Sequence, residues 1–396
     1  MKKILLLGGS NQQIIAIEKA KEMGLYTILC DYLPDNPGQY VADKFYLEST
    51  TDKDSILKIS RDENIDGIIA YASDPAAPTA AYVAETLSLP GNPYKSVDIL
   101  CNKGKFREFL KSNDFNVPTS NSFASKKEVF DNINDFKFPI IVKPVDSSGS
   151  KGVTVLKSEK NLETALKSAF SYSRSKKIII EDFIEGKYSV IGGDIFIRNG
   201  EIDIWGLMSS QRDTGVNELV PVGESFPLNL EESLLNEIKY TLSLLVKKLH
   251  IENGPMNVEL MVDKKDKVYL IDIGPRSGGC MIPELISDIY NIDIAKMSIE
   301  ASMGFESDFK PTKSNEFFAI YYLHSSKYGI LKNITFDNVL EKYIYRKCIY
   351  KKQNEEVEYF KDASKCLGII FLKFQNYNEM AKILKNIEDL IKIELI

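Results

Sequence analysis

The sequence predicts a mixed chain, α/β at its start and α+β beyond, folded as two or three packed units. Three observations lead there. Residues 2–31 read as apolar strand, glycine turn, helix and strand, which is a βαβ unit. Later apolar runs come as strand pairs joined by short polar turns, as at Met256–Val262 and Val268–Ile273. A length of 396 residues, 44% of them hydrophobic, exceeds what one ordinary core accommodates.

Composition narrows the function. Fifty Lys and Arg stand against 56 Asp and Glu, for a net charge of -6, a poor balance for gripping nucleic acid or an anionic membrane. The five cysteines (Cys30, Cys101, Cys280, Cys348 and Cys366) form no CxxC pair. An odd, scattered set implies free thiols in a reducing compartment, so a cytoplasmic location is expected. The two histidines, His250 and His324, lie far apart, which argues against zinc and against Ser-His chemistry. His250 suits a helix end and Cys280 a packing role. The apolar start Ile4–Leu7 is cut by Gly8-Gly9-Ser10, too soon for a secretory leader. The least polar stretch, 67–84, contains Asp74, Pro75 and Pro78 and does not span a bilayer.

The elements follow in order. A helix bearing Ile14, Ile15, Ile17, Ala20 and Met23 separates the first strand from the second, Tyr26–Asp31. Asp31, about twenty residues past the turn, invites a dinucleotide reading. The turn itself, Gly8-Gly9-Ser10-Asn11-Gln12-Gln13, lacks G-x-G-x-x-G. A Rossmann-like layer without nucleotide is therefore expected over 1–98, ended by Leu89-Pro90-Gly91-Asn92-Pro93. Residues 99–305 should form a second domain. It opens with a helix at Asn102–Phe106 and continues through strands at 138–144, 153–156 and 177–181, with a hairpin about Asn199-Gly200. A helix at 231–249 precedes the last strand pair. Residues 306–396, short strands and a final helix, should form a small α+β domain that closes over the others.

Chemistry concentrates in the middle domain. Lys143 ends the apolar strand Ile140-Ile141-Val142-Lys143-Pro144, and a lysine buried there needs an anion. The loop that follows, Ser147-Ser148-Gly149-Ser150-Lys151-Gly152, is small enough to turn backbone N–H groups toward phosphate, with Lys151 adding charge. It is not a Walker A loop; alone, such a loop is more often a flexible hairpin. Glu259 and Asp272 each interrupt an apolar strand, and antiparallel pairing would set them side by side. Like charges so placed repel unless a cation such as Mg²⁺ bridges them. Arg276, one of seven arginines, leads Ser277-Gly278-Gly279 and suits a carboxylate or acyl phosphate. Arg212, between a strand and a polar loop, fits a phosphate contact and a surface loop equally well.

From residue 1 to about 305 these pieces, in this order, resemble the ATP-grasp superfamily of carboxylate–amine ligases. The likeness is to its carbamoyl-phosphate-synthase-like and purine-biosynthetic branches, the latter including phosphoribosylglycinamide synthetase. Val258-Glu259-Leu260 with Asp272-Ile273-Gly274-Pro275-Arg276 looks like the family's metal-carboxylate strands. Ile178–Gly186 looks like its adenine hinge, with Glu181, Asp182, Phe183 and Ile184 around the base. Lys103 and Lys143 match its two phosphate-directed lysines. The resemblance implies ATP with Mg²⁺, or Mn²⁺ in its place, and C–N bond formation between a small-molecule carboxylate and an amine. An acyl phosphate would be the intermediate, Arg276, Lys143 and Arg212 its attendants. The substrate would be of the purine-precursor type or of the amino-acid type, and relatives are often homodimers. Two departures stand out. Gly274 occupies a position where the family has a ligating Asn, and the hinge lacks the glutamate that holds the ribose. Glu185 or Asp194 is the expected substitute. These departures keep open a second reading, a non-catalytic ATP-binding module. A nicotinamide-dependent oxidoreductase is a distant third, for want of the glycine fingerprint.

Overall fold

Burial alternates residue by residue along Gly254–Val262, and this alternation organises the middle of the molecule. Met256, Val258, Leu260 and Val262 point into a core shared with the helix Glu232–Leu249, leaving Asn257 and Glu259 on the opposite face. The structure is a computed structural model describing residues 1–396.

A central eight-stranded sheet runs, edge to edge, Val268–Gly274, Gly254–Val262, Ile191–Arg198, Glu201–Arg212, Pro221–Phe226, Phe317–Leu323, Gly368–Phe374 and Ile344–Ile349. A four-stranded antiparallel sheet, Ser120–Phe123, Ile178–Asp182, Ile140–Pro144 and Thr154–Leu156, carries its own core under the helix Leu162–Tyr172. The helix Lys103–Ser112 sits at the seam between these two sheets. Asn102 caps it through Lys105 N, and Lys103 N donates to Val145 O at 2.8 Å.

The N-terminal layer is a parallel sheet, Lys44–Leu47, Tyr26–Asp31, Lys3–Leu7 and Gly67–Ile69. Its glycine turn is filled by its own side chains. Gly9 N donates to Asp31 Oδ2 at 2.7 Å, and a Cβ on Gly8 would stand 2.2 Å from Gln13 Nε2. A pyrophosphate would find neither a free amide nor room. Asp31, the would-be ribose ligand, is thereby a turn-holding residue.

Residues 306–396 differ from a separate closing domain. Phe317–Leu323 pairs with Pro221–Phe226 on one side and Gly368–Phe374 on the other. The tail thus extends the central sheet and shares a 33-residue core with Phe196, Ile204 and Met208. Only the small sheet formed by Glu356–Val357, Gly329–Phe336 and Ile391–Leu395 stands apart. No helix is long and apolar enough to cross a membrane.

Candidate active site

The two sheets meet along a charged seam, the candidate cleft, whose buried wall carries more positive charge than negative. Lys143 Nζ lies 2.6 Å from Glu181 Oε2, and Arg107 Nε lies 2.7 Å from Glu181 Oε1. The second approach is an ion pair off the line of a good hydrogen bond. Arg107 donates through Nη2 to Glu181 Oε2, at 3.5 Å, and also to the carbonyls of Leu270, at 3.1 Å, and Ile271, at 2.8 Å. One helix residue thereby ties the strand Val268–Gly274 to the strand Ile178–Asp182. All three groups are buried, so two cations share one anion. Burial favours neutral Glu181, yet Arg107 and Lys143 hold it below the usual carboxylate range. Lys143 is the surplus cation: burial pushes it below its ordinary value despite Glu181.

The wetter edge carries the paired carboxylates. Glu259 sits directly across from Asp272 in the ladder, beside a bulge at Glu259/Leu260. Each is met by a cation, Asp272 by Lys103 Nζ at 2.8 Å and Glu259 by Arg212 Nη2 at 3.6 Å. Burial would raise Asp272, but Lys103 outweighs it and keeps the carboxylate below its usual range. Lys103 is raised in return, Asp272 overcoming its burial. Two hard-oxygen donors suit a single Mg²⁺, which keeps few protein carboxylates and completes its shell with phosphate and water. No group of three or more His, Cys, Asp and Glu converges anywhere in the chain. Gly274 adds no ligand, and a Cβ there would stand 2.5 Å from Asp74 Oδ1.

The small-residue loop is a hairpin tip between Ile140–Pro144 and Thr154–Leu156. Gly149, Ser150 and Gly152 all adopt positive φ, so the chain curls back in short space. Lys103 Nζ donates to Ser147 O at 3.0 Å, and Ser150 Oγ reaches across to Leu219 O at 2.9 Å. Ser148 lies at the base of the tip, and Lys151 is exposed. At the hinge, Asp182 accepts from Lys137 N, Phe183 N donates to Pro139 O at 3.0 Å, and Phe183 is exposed beside half-buried Ile184. Neither ribose substitute is free. Glu185 pairs with Lys264 on the surface, and buried Asp194 accepts from Gly278 N and Asn257 Nδ2. Burial raises Asp194 to about 6.

Arg276 does not face open space. Its Nε and Nη2 grip both oxygens of Asp74, the former at 2.7 Å, while Nη1 donates to Ser277 O. This fork fastens the N-terminal layer to the cleft, helped by Gln12 Oε1, which accepts from Cys280 N at 2.9 Å. Arg107, Asp74 and Gln12 were not singled out from the sequence. Arg107 alone had a signal there, since it follows Lys103 by one helical repeat and shares its face.

A family model described as an ATP-grasp domain matches residues 136–284, the span from the buried lysine strand past Arg276. The chain contains an ATP-grasp domain. The carbamoyl phosphate synthase large chain of Pseudothermotoga lettingae is 26% identical over 348 residues, covering 84% of this chain and 30% of that protein. The chain thus spans under a third of the length of the curated relatives it matches. A likeness of fold extends beyond the matched span. The L-amino acid ligase of Bacillus licheniformis superposes with TM-score 0.83 at 19% identity, over 100% of this chain and 99% of that one. The phosphoribosylglycinamide synthetase of Anaerococcus prevotii superposes with TM-score 0.77 at 23% identity, over the whole of both chains. At these identities the likeness is one of fold, and the fold is one shared with ligases.

Proposed function

We propose that the chain is an ATP-dependent ligase that joins a small-molecule carboxylate to an amine through an acyl phosphate. The observation that carries this reading is the surplus buried cation, Lys143 with Arg107 against Glu181 alone. A charge left unbalanced in a dry wall calls for a resident anion, and a nucleotide's phosphates supply one. Lys103, now spent on Asp272, would turn to the same phosphates once the carboxylate is engaged elsewhere. Glu259 and Asp272 would hold Mg²⁺, which offsets the charge on the transferring phosphoryl group. The hairpin tip Ser147–Gly152, fastened by Ser150 to Leu219, shields the acyl phosphate from water. No side-chain nucleophile is needed, in keeping with a cleft that works by position and charge.

The carboxylate and amine are of the purine-precursor type or the amino-acid type, a choice supported by two of the enzymes that share the whole fold. Phosphate release from Mg·ATP, measured against both sets, tests the reading, with Lys143→Ala and Glu259→Ala as controls. Release that needs a carboxylate and an amine together, and is lost in both variants, is the expected result. Binding of ATP without turnover on any pair would instead favour a non-catalytic nucleotide module, the reading that Gly274 keeps open.

A further inference from the structure

One buried carboxylate on the cleft face has no part in the reading above. Glu224 is 2% exposed; its Oε1 accepts from Ser210 Oγ at 2.7 Å, while Oε2 has no partner at all. A buried carboxylate oxygen left bare is costly unless something comes to meet it. Its position in the ladder says where. Ser210 lies across from Glu224, and Arg212, two residues on, reaches Glu259. The register on either side, Asn257 with Asp194 and Leu260 with Ile191, sets Glu259 across from Gly192. A Cβ on Gly192 would stand 2.9 Å from Ser210 Oγ and 3.3 and 3.5 Å from the two Glu224 oxygens. Met208 is the ladder partner of Gly192, so Glu224, paired with Ser210, lies diagonally past this side-chain-free position from the metal-side carboxylate.

We propose that Glu224 is the residue that receives the proton of the amine substrate, with the amine nitrogen seated over Gly192. The proposal rests on the ligase reading and names its amine half. An amine arriving as ammonium passes one proton to the Glu224 carboxylate and regains its lone pair. The nitrogen then forms a bond to the acyl carbon, the carbon–oxygen bond to phosphate breaks, and phosphate departs with the electron pair and the second proton. Burial raises Glu224 to about 8, Ser210 and Arg212 pulling down and Glu259 and Asp194 pushing up. Cys280 and Tyr322, neutral beside it, complete its surroundings. Its carboxylate form therefore grows as pH rises toward the range where amines begin to lose protons. The cleft contains no histidine to serve instead: His324 is held by Asp213 Oδ2 at 3.1 Å and by Tyr322 O.

Hydroxylamine separates the two halves of the reaction, being a nucleophile already neutral at pH 7. With each of the twenty amino acids as carboxylate, hydroxamate formation is compared with amide formation from ammonium or glycine. Glu224→Gln should keep hydroxamate formation within about threefold while amide formation falls by about 10²–10⁴, the usual worth of a positioned base. The limb of the wild-type rate that rises toward about pH 8 should vanish in E224Q and survive in E224D. Equal losses in both reactions would make Glu224 merely structural, and unchanged amide formation would remove it from the chemistry. A wild type that forms no hydroxamate with any carboxylate overturns the ligase reading, and this proposal with it. A variant that does not fold is recognised by its thermal transition, and E224D then decides the question.

Discussion

Two ion groups face the same cleft and are built on opposite terms. Around Glu181 the side chains are dry, at 3% exposure for Arg107, 5% for Lys143 and 4% for Glu181. Around Asp272 and Glu259 they are wetter, with the two carboxylates 38% and 36% exposed. The dry group has a structural part, because Arg107 stitches two sheets together through Leu270 and Ile271. On the proposed reading the wet pairs are placeholders, in which Lys103 and Arg212 occupy carboxylates that a metal would otherwise use. The Arg107–Glu181 pair must hold for the protein to stand, whereas on the proposed reading the wet pairs must come apart for it to work.

The comparison can be broken at its deep end first. Glu181→Ala leaves two buried cations unpaired and should cost about 3–5 kcal/mol in urea unfolding. Removing the surplus cation is the contrary case: Lys143→Met leaves Arg107 and Glu181 balanced and should leave stability unchanged or higher. At the wet edge, Glu259→Ala or Asp272→Ala should lower stability by less than about 1 kcal/mol. Either should nevertheless reduce Mg·ATP turnover by about 10²–10³, as the loss of a preorganised charge does. Equal stability losses at both ends would erase the distinction between structural and exchangeable pairs.

Much of this was legible in the sequence, for a physical reason. Lys143, Glu259 and Asp272 each stand in an apolar run, and a charge among apolar residues announces its own abnormality. Partners were not legible, because they are set by tertiary contact. Asp74 reads only as a charge within the stretch 67–84, yet it meets Arg276 from across 202 positions. Glu224 lies in Val222-Gly223-Glu224-Ser225, which reads as an ordinary alternating edge until the sheet buries both its faces. The tail gave no motif, since its strands complete another domain's sheet and carry no pattern of their own.

A finer test uses pH. The native state holds Glu224's proton above the ordinary glutamate value of 4.5, up to about 8. In that window the folded protein binds more protons than the unfolded chain, so wild-type stability falls as pH rises. Glu224→Gln lacks the group and should gain on wild type by up to about 1.4 kcal/mol per pH unit across the window, then level off. Unfolding curves at several pH values check this; a flat difference would contradict it. The smallest effect is at the hairpin tip. Ser150→Ala, which removes the bond to Leu219, should cost about 1 kcal/mol and raise phosphate release in the absence of any amine.

The central claim is that the surplus buried charge at Lys143 is a nucleotide's phosphate site. Calorimetric titration of ADP with Mg²⁺ into wild type and Lys143→Met tests it without knowledge of the other substrates. The account predicts a folded variant that binds ADP about 10–100-fold more weakly, the worth of one charge-assisted contact. A folded Lys143→Met protein that binds ADP as tightly as wild type would contradict it.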